Sequence, residues 1–242
     1  YMNTFPKTII CETSTLLSRN MDFRFGPKQE VIENRIDFLE QFGIPYQEHI
    51  AMRCDHGNII SLVDEKNPEC GARTQDEQIH SEVLVTQKKH LALMLFTADC
   101  LPMSLYDPVT QTIALAHVSR KTLVDKLPQK TVGFLRRQCD VAPQDLIINI
   151  GPHIQKQTYA FVLPLPDTPL ERNGFIEERD GHAYIDLAGS AVRQLTTAGI
   201  QKENITVSSE DTGDTEKYFS YYLMKRDGNQ QEARMATILM MR

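Results

Sequence analysis

The sequence predicts an α+β or mixed α/β fold. Short apolar runs rich in Ile, Val, Leu and Thr recur along its length, and stretches with apolar residues at three- and four-residue spacing lie among them. Two of the apolar runs are joined directly by a turn sequence, which argues for local hairpins and against a purely parallel sheet. With 242 residues, 41% of them hydrophobic, the chain can bury a sizeable core. No low-complexity block or internal repeat divides it, so residues 1–242 are expected to form one domain.

Thr8 to Leu17 reads as a strand and Ser18 to Pro27 as a loop. Lys28 to Phe42 reads as a helix, because Val31, Ile32, Ile36, Phe38, Leu39 and Phe42 fall at helical spacings and Gly43 stands at the stop position. His49 to Arg53 is a further strand, leading into Asp55-His56-Gly57 and Asn58 to Val63, and the charged segment Asp64 to Gln78 is a loop. Val83 to Val85 and Leu91 to Phe96 are apolar runs too short for helices. Thr97-Ala98-Asp99-Cys100 follows, then the strands Leu101 to Tyr106 and Thr112 to His117, with the turn Asp107-Pro108-Val109-Thr110-Gln111 between them. Lys121 to Cys139 is a helix interrupted near Pro128, and Leu146 to Ile150 is a strand closed by Gly151-Pro152. Ala183 to Leu187 (strand), Ala188 to Ala198 (helix, stopped by Gly199), Ile205 to Ser208 (strand) and Ala236 to Met240 (strand) complete the series.

A net charge of −6 and a pI near 5.7 argue against a surface that neutralises a nucleic-acid backbone, and point to a small ligand. No apolar run has the length of a membrane span and Tyr1 to Ile10 lacks a signal-peptide layout, so a cytoplasmic protein with no membrane partner is expected. The five cysteines, Cys11, Cys54, Cys70, Cys100 and Cys139, form an odd set without a CxxC pair, which fits a reducing compartment.

If Asp107 pairs with Thr112, a regular hairpin sets Pro102 opposite His117, and Cys100 emerges beside His117 at the open end. A neighbouring thiol and imidazole support either a His-activated Cys nucleophile or a pair of zinc or copper ligands. A third ligand decides between them. His56, between Asp55 and Gly57 at a strand end, is the candidate, and two His with one Cys leave a tetrahedral zinc one open position. Among the other histidines, His80 and His90 read as solvent-facing, His153 as a residue able to line the same mouth, and His49 and His182 as structural. Arg120-Lys121, just after His117, is either an anion-receiving helix start or a solvated one.

These motifs resemble the YfiH-like family, known as laccase-domain or multicopper polyphenol oxidase proteins and assigned as zinc-dependent purine nucleoside phosphorylases. The residues that carry the resemblance are His56-Gly57, Ala98-Asp99-Cys100-Leu101-Pro102 and His117. They are supported by Asn34-Arg35, Leu84-Val85-Thr86, Gly151-Pro152-His153-Ile154, Ile185-Asp186-Leu187, Phe219-Ser220-Tyr221, Arg226-Asp227-Gly228 and Arg234-Met235-Ala236. The chain departs from the family in having Val118-Ser119-Arg120-Lys121-Thr122 where an Ala-Gly-Trp-Arg-Gly segment is usual, no Trp at all, Asp211-Thr212 in place of Cys-Thr, and a short insertion at Tyr222 to Lys225.

The resemblance implies an α+β fold of mixed sheets layered between helices, and a zinc ion on His56, Cys100 and His117, with copper as the alternative. It implies phosphorolysis of adenosine, inosine or methylthioadenosine, with adenosine deamination as a second activity. Purine nucleoside and phosphate are then the partners of a monomer or small homo-oligomer. Cys100 and Asp99 would be the catalytic residues, Asp99 moving a proton, and Arg19, Lys121 and His153 the substrate contacts. The rival readings are a copper-dependent phenol oxidase, for which seven His are few; a metal-free thiol hydrolase using Cys100 and His117; and a metal-binding homologue without turnover.

Overall fold

The computed structural model describes residues 5–63, 74–163, 175–228 and 231–242. Its first half contains β1 (Ile9–Thr13), α1 (Lys28–Glu40), β2 (His49–Arg53), β3 (Ile60–Leu62), β4 (Ile79–His80), β5 (Val83–Thr86), β6 (Ala92–Thr97), β7 (Leu101–Asp107) and β8 (Thr112–Val118). The second half contains α2 (Arg120–Val124), α3 (Leu127–Gln138), β9 (Ile147–Ile150), β10 (Ala160–Val162), β11 (Ile176–Arg179), β12 (His182–Ile185), α4 (Leu187–Thr197), β13 (Ile205–Val207), α5 (Tyr221–Asp227) and β14 (Met235–Met241).

Two mixed sheets carry the fold. One is ordered β1-β14-β6-β2-β4 and the other β13-β9-β7-β8-β5-β3, with β10-β12-β11 as a small third sheet. Within the two large sheets β5, β6, β7, β8 and β14 are buried along their whole length, which is why they read as apolar runs instead of alternating ones. Ile50, Met52, Leu93, Leu95 and Leu239 of the first sheet meet Leu84, Ile113 and Leu115 of the second between the sheets. The outer face of the first sheet, with Ala51, Met94 and Ile238, packs on Phe38 and Leu39 of α1. The outer face of the second, with Val83, Met103, Ala116 and Ile148, packs on Leu123, Leu135 and Leu195 of the following helices. The order is helix, sheet, sheet, helix, as the resemblance implied.

The β7–β8 hairpin has the expected register, with Asp107 opposite Thr112 and Pro102 opposite His117. Asp107 closes the turn by accepting from the N–H groups of Val109 and Thr110, both at 3.1 Å. Gly43 and Gly199, just beyond α1 and α4, take the left-handed conformation that a helix stop requires (φ 68° and 99°).

Several boundaries differ from the sequence expectation. The first strand ends at Thr13 and Leu16–Ser18 turns in a 3-10 segment, since pairing with β14 ends at Thr13–Thr237. The helix expected over Lys121 to Cys139 is two helices, broken at Lys126 (φ 58°), with Pro128 in the first turn of the second. Leu187 opens α4 rather than closing a strand, because the Asp186 carboxylate caps the helix by accepting from Gly189 N–H at 2.7 Å. Of the loop expected over Asp64 to Gln78, residues 64–73, including Cys70, lie outside the described residues. No helix among the described residues is long and apolar enough to cross a membrane.

Candidate metal centre

The fold brings three chain segments to one point. Strands β2 and β6 run parallel as neighbours, so their C-terminal ends deliver the Cys54-Asp55-His56 turn and the Ala98-Asp99-Cys100 connection side by side. That connection carries the chain from the first sheet into β7 of the second, whose partner β8 bears His117. Along β8, Ile113 and Leu115 point between the sheets, and His117 continues the same face at its open end. One ligand atom each from His56, Cys100 and His117 lies within 4.8 Å of the others. The rings of His56 and His117 meet edge to face, with centroids 5.1 Å apart. His56 is exposed, Cys100 half-buried and His117 buried, so the triad opens to solvent on one side.

Two of the residues involved adopt strained backbones. His56 has φ 58° and Asp99 φ 87°, conformations that cost a non-glycine residue on the order of 1 kcal/mol or more. The fold holds both in place. Glu82, just ahead of β5, accepts through Oε1 from Asp55 N–H at 2.8 Å and Gly57 N–H at 2.9 Å, which fixes the turn that presents His56. Its Oε2 lies 2.7 Å from His117 Nδ1. One buried carboxylate thus orients two of the three ligands and leaves His117 Nε2 for a metal.

The electrostatics favour a metal-ready thiol. Burial alone would raise the Cys100 thiol, but the charge and hydrogen bond of His117, followed by those of His56, bring it down to about 7. Burial opposes a charged His117, yet the Cys54 and Cys100 sulfurs hold its pKa well above the ordinary range. Glu82 is pushed up by burial but pulled lower overall by His117 and the Gly57 and Asp55 N–H groups. Soft sulfur with two imidazoles suits zinc or copper, so the donor set fits a transition-metal ion. A second metal-capable group, Cys54, Glu82 and His117, is fully buried and shares His117 with the first.

Two clefts flank the triad and share His56, Cys100, Ala98 and Tyr221. One, of about 400 Å³, is lined also by Asp99, Ser119, Arg120, Lys121, Tyr159, Phe161, Tyr222 and Lys225. The other, of about 290 Å³, is lined also by Arg24, Cys54, Phe96, Thr97, His117, Glu232 and Arg234. The segment that reads as an insertion, Tyr222 to Lys225, is part of α5 and forms a wall of the first cleft. The altered residues after His117 form another: Ser119 caps α2 by accepting from Thr122 N–H at 3.2 Å and presents Arg120 and Lys121.

Among the expected contacts, Lys121 lines the first cleft. Arg19 instead lines a separate cleft with Thr15, Leu17, Ser18, Asn34 and Asp37, none of which borders the triad. His153 is buried, its Nδ1 2.8 Å from the Gly151 carbonyl, and borders neither cleft; its ring serves the fold rather than the mouth of the site. Asp99 is beside Cys100 as expected, but its oxygens are occupied. Oδ1 accepts from Thr212 hydroxyl at 2.8 Å and Oδ2 from Tyr222 N–H at 2.6 Å. Burial raises its pKa against these bonds and that of Ser220. A carboxylate bound in this way braces α5 and the Cys100 turn, and is poorly placed to exchange protons with a ligand.

Glu82 and Cys54 were not picked out from the sequence. The signal for Glu82 was strand pairing: β5 runs antiparallel to β8 with Val83 opposite Ala116, so the residue before Val83 stands at His117.

The chain belongs to the multi-copper polyphenol oxidoreductase laccase family, whose model matches residues 11–242. It is 28% identical over 204 residues to a purine nucleoside phosphorylase of Xylella fastidiosa, covering 82% of this chain and 75% of that protein. It is 26% identical over 214 residues to the purine nucleoside phosphorylase YlmD of Geobacillus stearothermophilus, covering 84% and 77%. Among solved structures it is similar to a hypothetical protein YfiH of Bacillus licheniformis (TM-score 0.84, 23% identity, 97% and 93% of the two chains). It is also similar to the YlmD structure from Geobacillus stearothermophilus (TM-score 0.83, 23% identity, 98% and 93%). The motif resemblance to YfiH-like proteins and the layered α+β fold both hold.

Proposed function

We propose that the protein is a zinc-dependent purine nucleoside phosphorylase. The observation that carries this reading is the His56, Cys100 and His117 triad opening onto a cleft with both aromatic and cationic walls. Relatives covering most of the chain bear the phosphorylase name.

In this account His56, Cys100 and His117 hold the ion and Glu82 keeps His117 in the tautomer that ligates. When bound, the ion supplies Lewis-acid stabilisation of developing negative charge. Tyr159, Phe161 and Tyr222 form an edge-to-face cluster, with centroids 4.9 to 5.4 Å apart, whose faces suit a flat purine. Lys121 receives the phosphate. A phosphate oxygen bonds to the sugar C1′ as the bond from C1′ to the purine nitrogen breaks, and the base leaves with the bonding pair and takes up a proton. Holding both reactants in one cleft supplies the entropic part of the rate enhancement.

Zinc is favoured over a multicopper oxidase centre because such centres need several separate His clusters. Among the described residues the metal-capable groups are two, and they share His117. Deamination of adenosine to inosine is a second activity open to the same centre. The test is release of adenine and ribose 1-phosphate from adenosine, followed with and without phosphate, with inosine measured in parallel. Release that depends on phosphate is expected. A flat assay in metal-replete protein would leave a binding protein, and release without phosphate would indicate a hydrolase.

A further inference from the structure

The cleft walled by α2 and α5 holds more positive charge than a nucleoside and one phosphate require. Arg120, Lys121 and Lys225 all line it. Among the described residues none of the three is in an ion pair, whereas Arg24, Arg226 and Arg234 are matched with Asp22, Asp227 and Glu232. Two of them rest on rings: Arg120 lies 5.5 Å from the Phe161 centroid and Lys225 5.4 Å from that of Tyr221. The carboxylate on this wall, Asp99, is turned onto Thr212 and the Tyr222 N–H and forms no ion pair with any of the three. Three unmatched cations in one cleft stand out in a chain of net charge −6.

A phosphate group carries about two negative charges near neutral pH. Three cations, set against the one carboxylate of Asp99, match the charge of one orthophosphate, and with the metal centre beside them they accommodate a second anionic group. The aromatic cluster in the same cleft accounts for a flat base, and its volume of about 400 Å³ is within the range of small-ligand sites.

We infer that this cleft selects a purine nucleoside monophosphate over the neutral nucleoside, with Arg120 and Lys225 recognising the ligand's own phosphate and Lys121 left to the orthophosphate. The inference rests on the phosphorylase reading for the identity of the base, and not for the charge preference. The cations are partly or fully exposed, so each contributes modestly and the preference weakens as salt screens it.

The test is calorimetric titration of the protein as purified, in phosphate-free buffer of low ionic strength, with 5′-AMP, 3′-AMP and adenosine. One of the two monophosphates should bind about tenfold or more tightly than adenosine, and which one tells the side of the sugar that faces the cations. The gap should shrink severalfold in Lys225→Gln and in Arg120→Gln, and with added sodium chloride. Adenosine binding as tightly as both monophosphates, no binding by any of them, or a gap untouched by both substitutions would overturn the inference. If those results came with phosphate-dependent cleavage of adenosine, the phosphorylase reading would stand without it. If a monophosphate won but nothing was cleaved, the charge preference would stand and the phosphorylase reading would fall.

Discussion

The two clefts beside the triad share His56 and Cys100 and are both lined by basic residues, yet they are charged in different ways. On the α2–α5 side Arg120 and Lys121 face the cleft with no ion-pair partner among the described residues, since Asp99 is bonded to Thr212 and Tyr222. On the other side Arg24 grips the buried Asp22, with Nε at 3.0 and 3.1 Å and Nη2 at 2.5 Å from its carboxylate oxygens. Arg234 bonds Glu232 and stacks 4.1 Å from the Phe25 centroid. An arginine fork filled by a carboxylate fixes local structure, while a cation resting only on a ring keeps its donors for a ligand. Basic residues near a site are therefore not equivalent: here one set builds the wall and the other reads what enters.

The largest expected effect comes from removing what the clefts share. Cys100→Ala should abolish phosphate-dependent base release and the bound metal together, with the fold intact by circular dichroism; retained activity would move the chemistry away from the triad. Glu82→Gln should weaken zinc binding by about 10- to 100-fold in a chelator competition, since it loosens both His117 and the His56 turn. An unchanged affinity would show that the ligands need no such brace.

The metal-free state sharpens the electrostatic part of the account. With the Cys100 thiol brought down to about 7 and that of Cys11 pushed up by burial to about 12, alkylation near neutral pH should label Cys100 and spare Cys11. The sign follows from the thiolate being the nucleophile: the Cys100 rate should level off above pH 7 and fall roughly tenfold per pH unit below it. A rate still climbing well into the alkaline range would contradict the pairing with His117.

The smallest effect tests the contrast between the clefts directly. Lys121→Ala should raise KM for phosphate roughly two- to fivefold, the scale of one exposed charge interaction. Arg24→Ala should leave that KM in place and instead lower stability by about 1–2 kcal/mol, because buried Asp22 loses its partner. The reverse pattern would exchange the roles of the two sides.

Much of the frame was legible because its causes are local. Turn chemistry at Asp107 to Gln111 fixed the β7–β8 register, and with it the approach of Cys100 to His117. Two-sided burial marked the strands as apolar runs. In the small third sheet only β12 was legible: β11 is Ile-Glu-Glu-Arg, largely exposed, and carries no apolar pattern. Helix α5 was also missed. Its start depends on Ser220 and on Asp99, more than a hundred residues earlier in the chain, a tertiary contact that no local window contains. Glu82 was missed for the same kind of reason, since its role depends on strand pairing. His153, chosen by its place after Gly-Pro, turned inward onto the carbonyl of Gly151.

The central claim is that His56, Cys100 and His117 hold a metal ion in this protein. Elemental analysis of protein purified without added metal tests it most directly, and the account predicts about one zinc per chain. A well-folded sample with no transition metal, or one carrying several copper ions per chain, would contradict it.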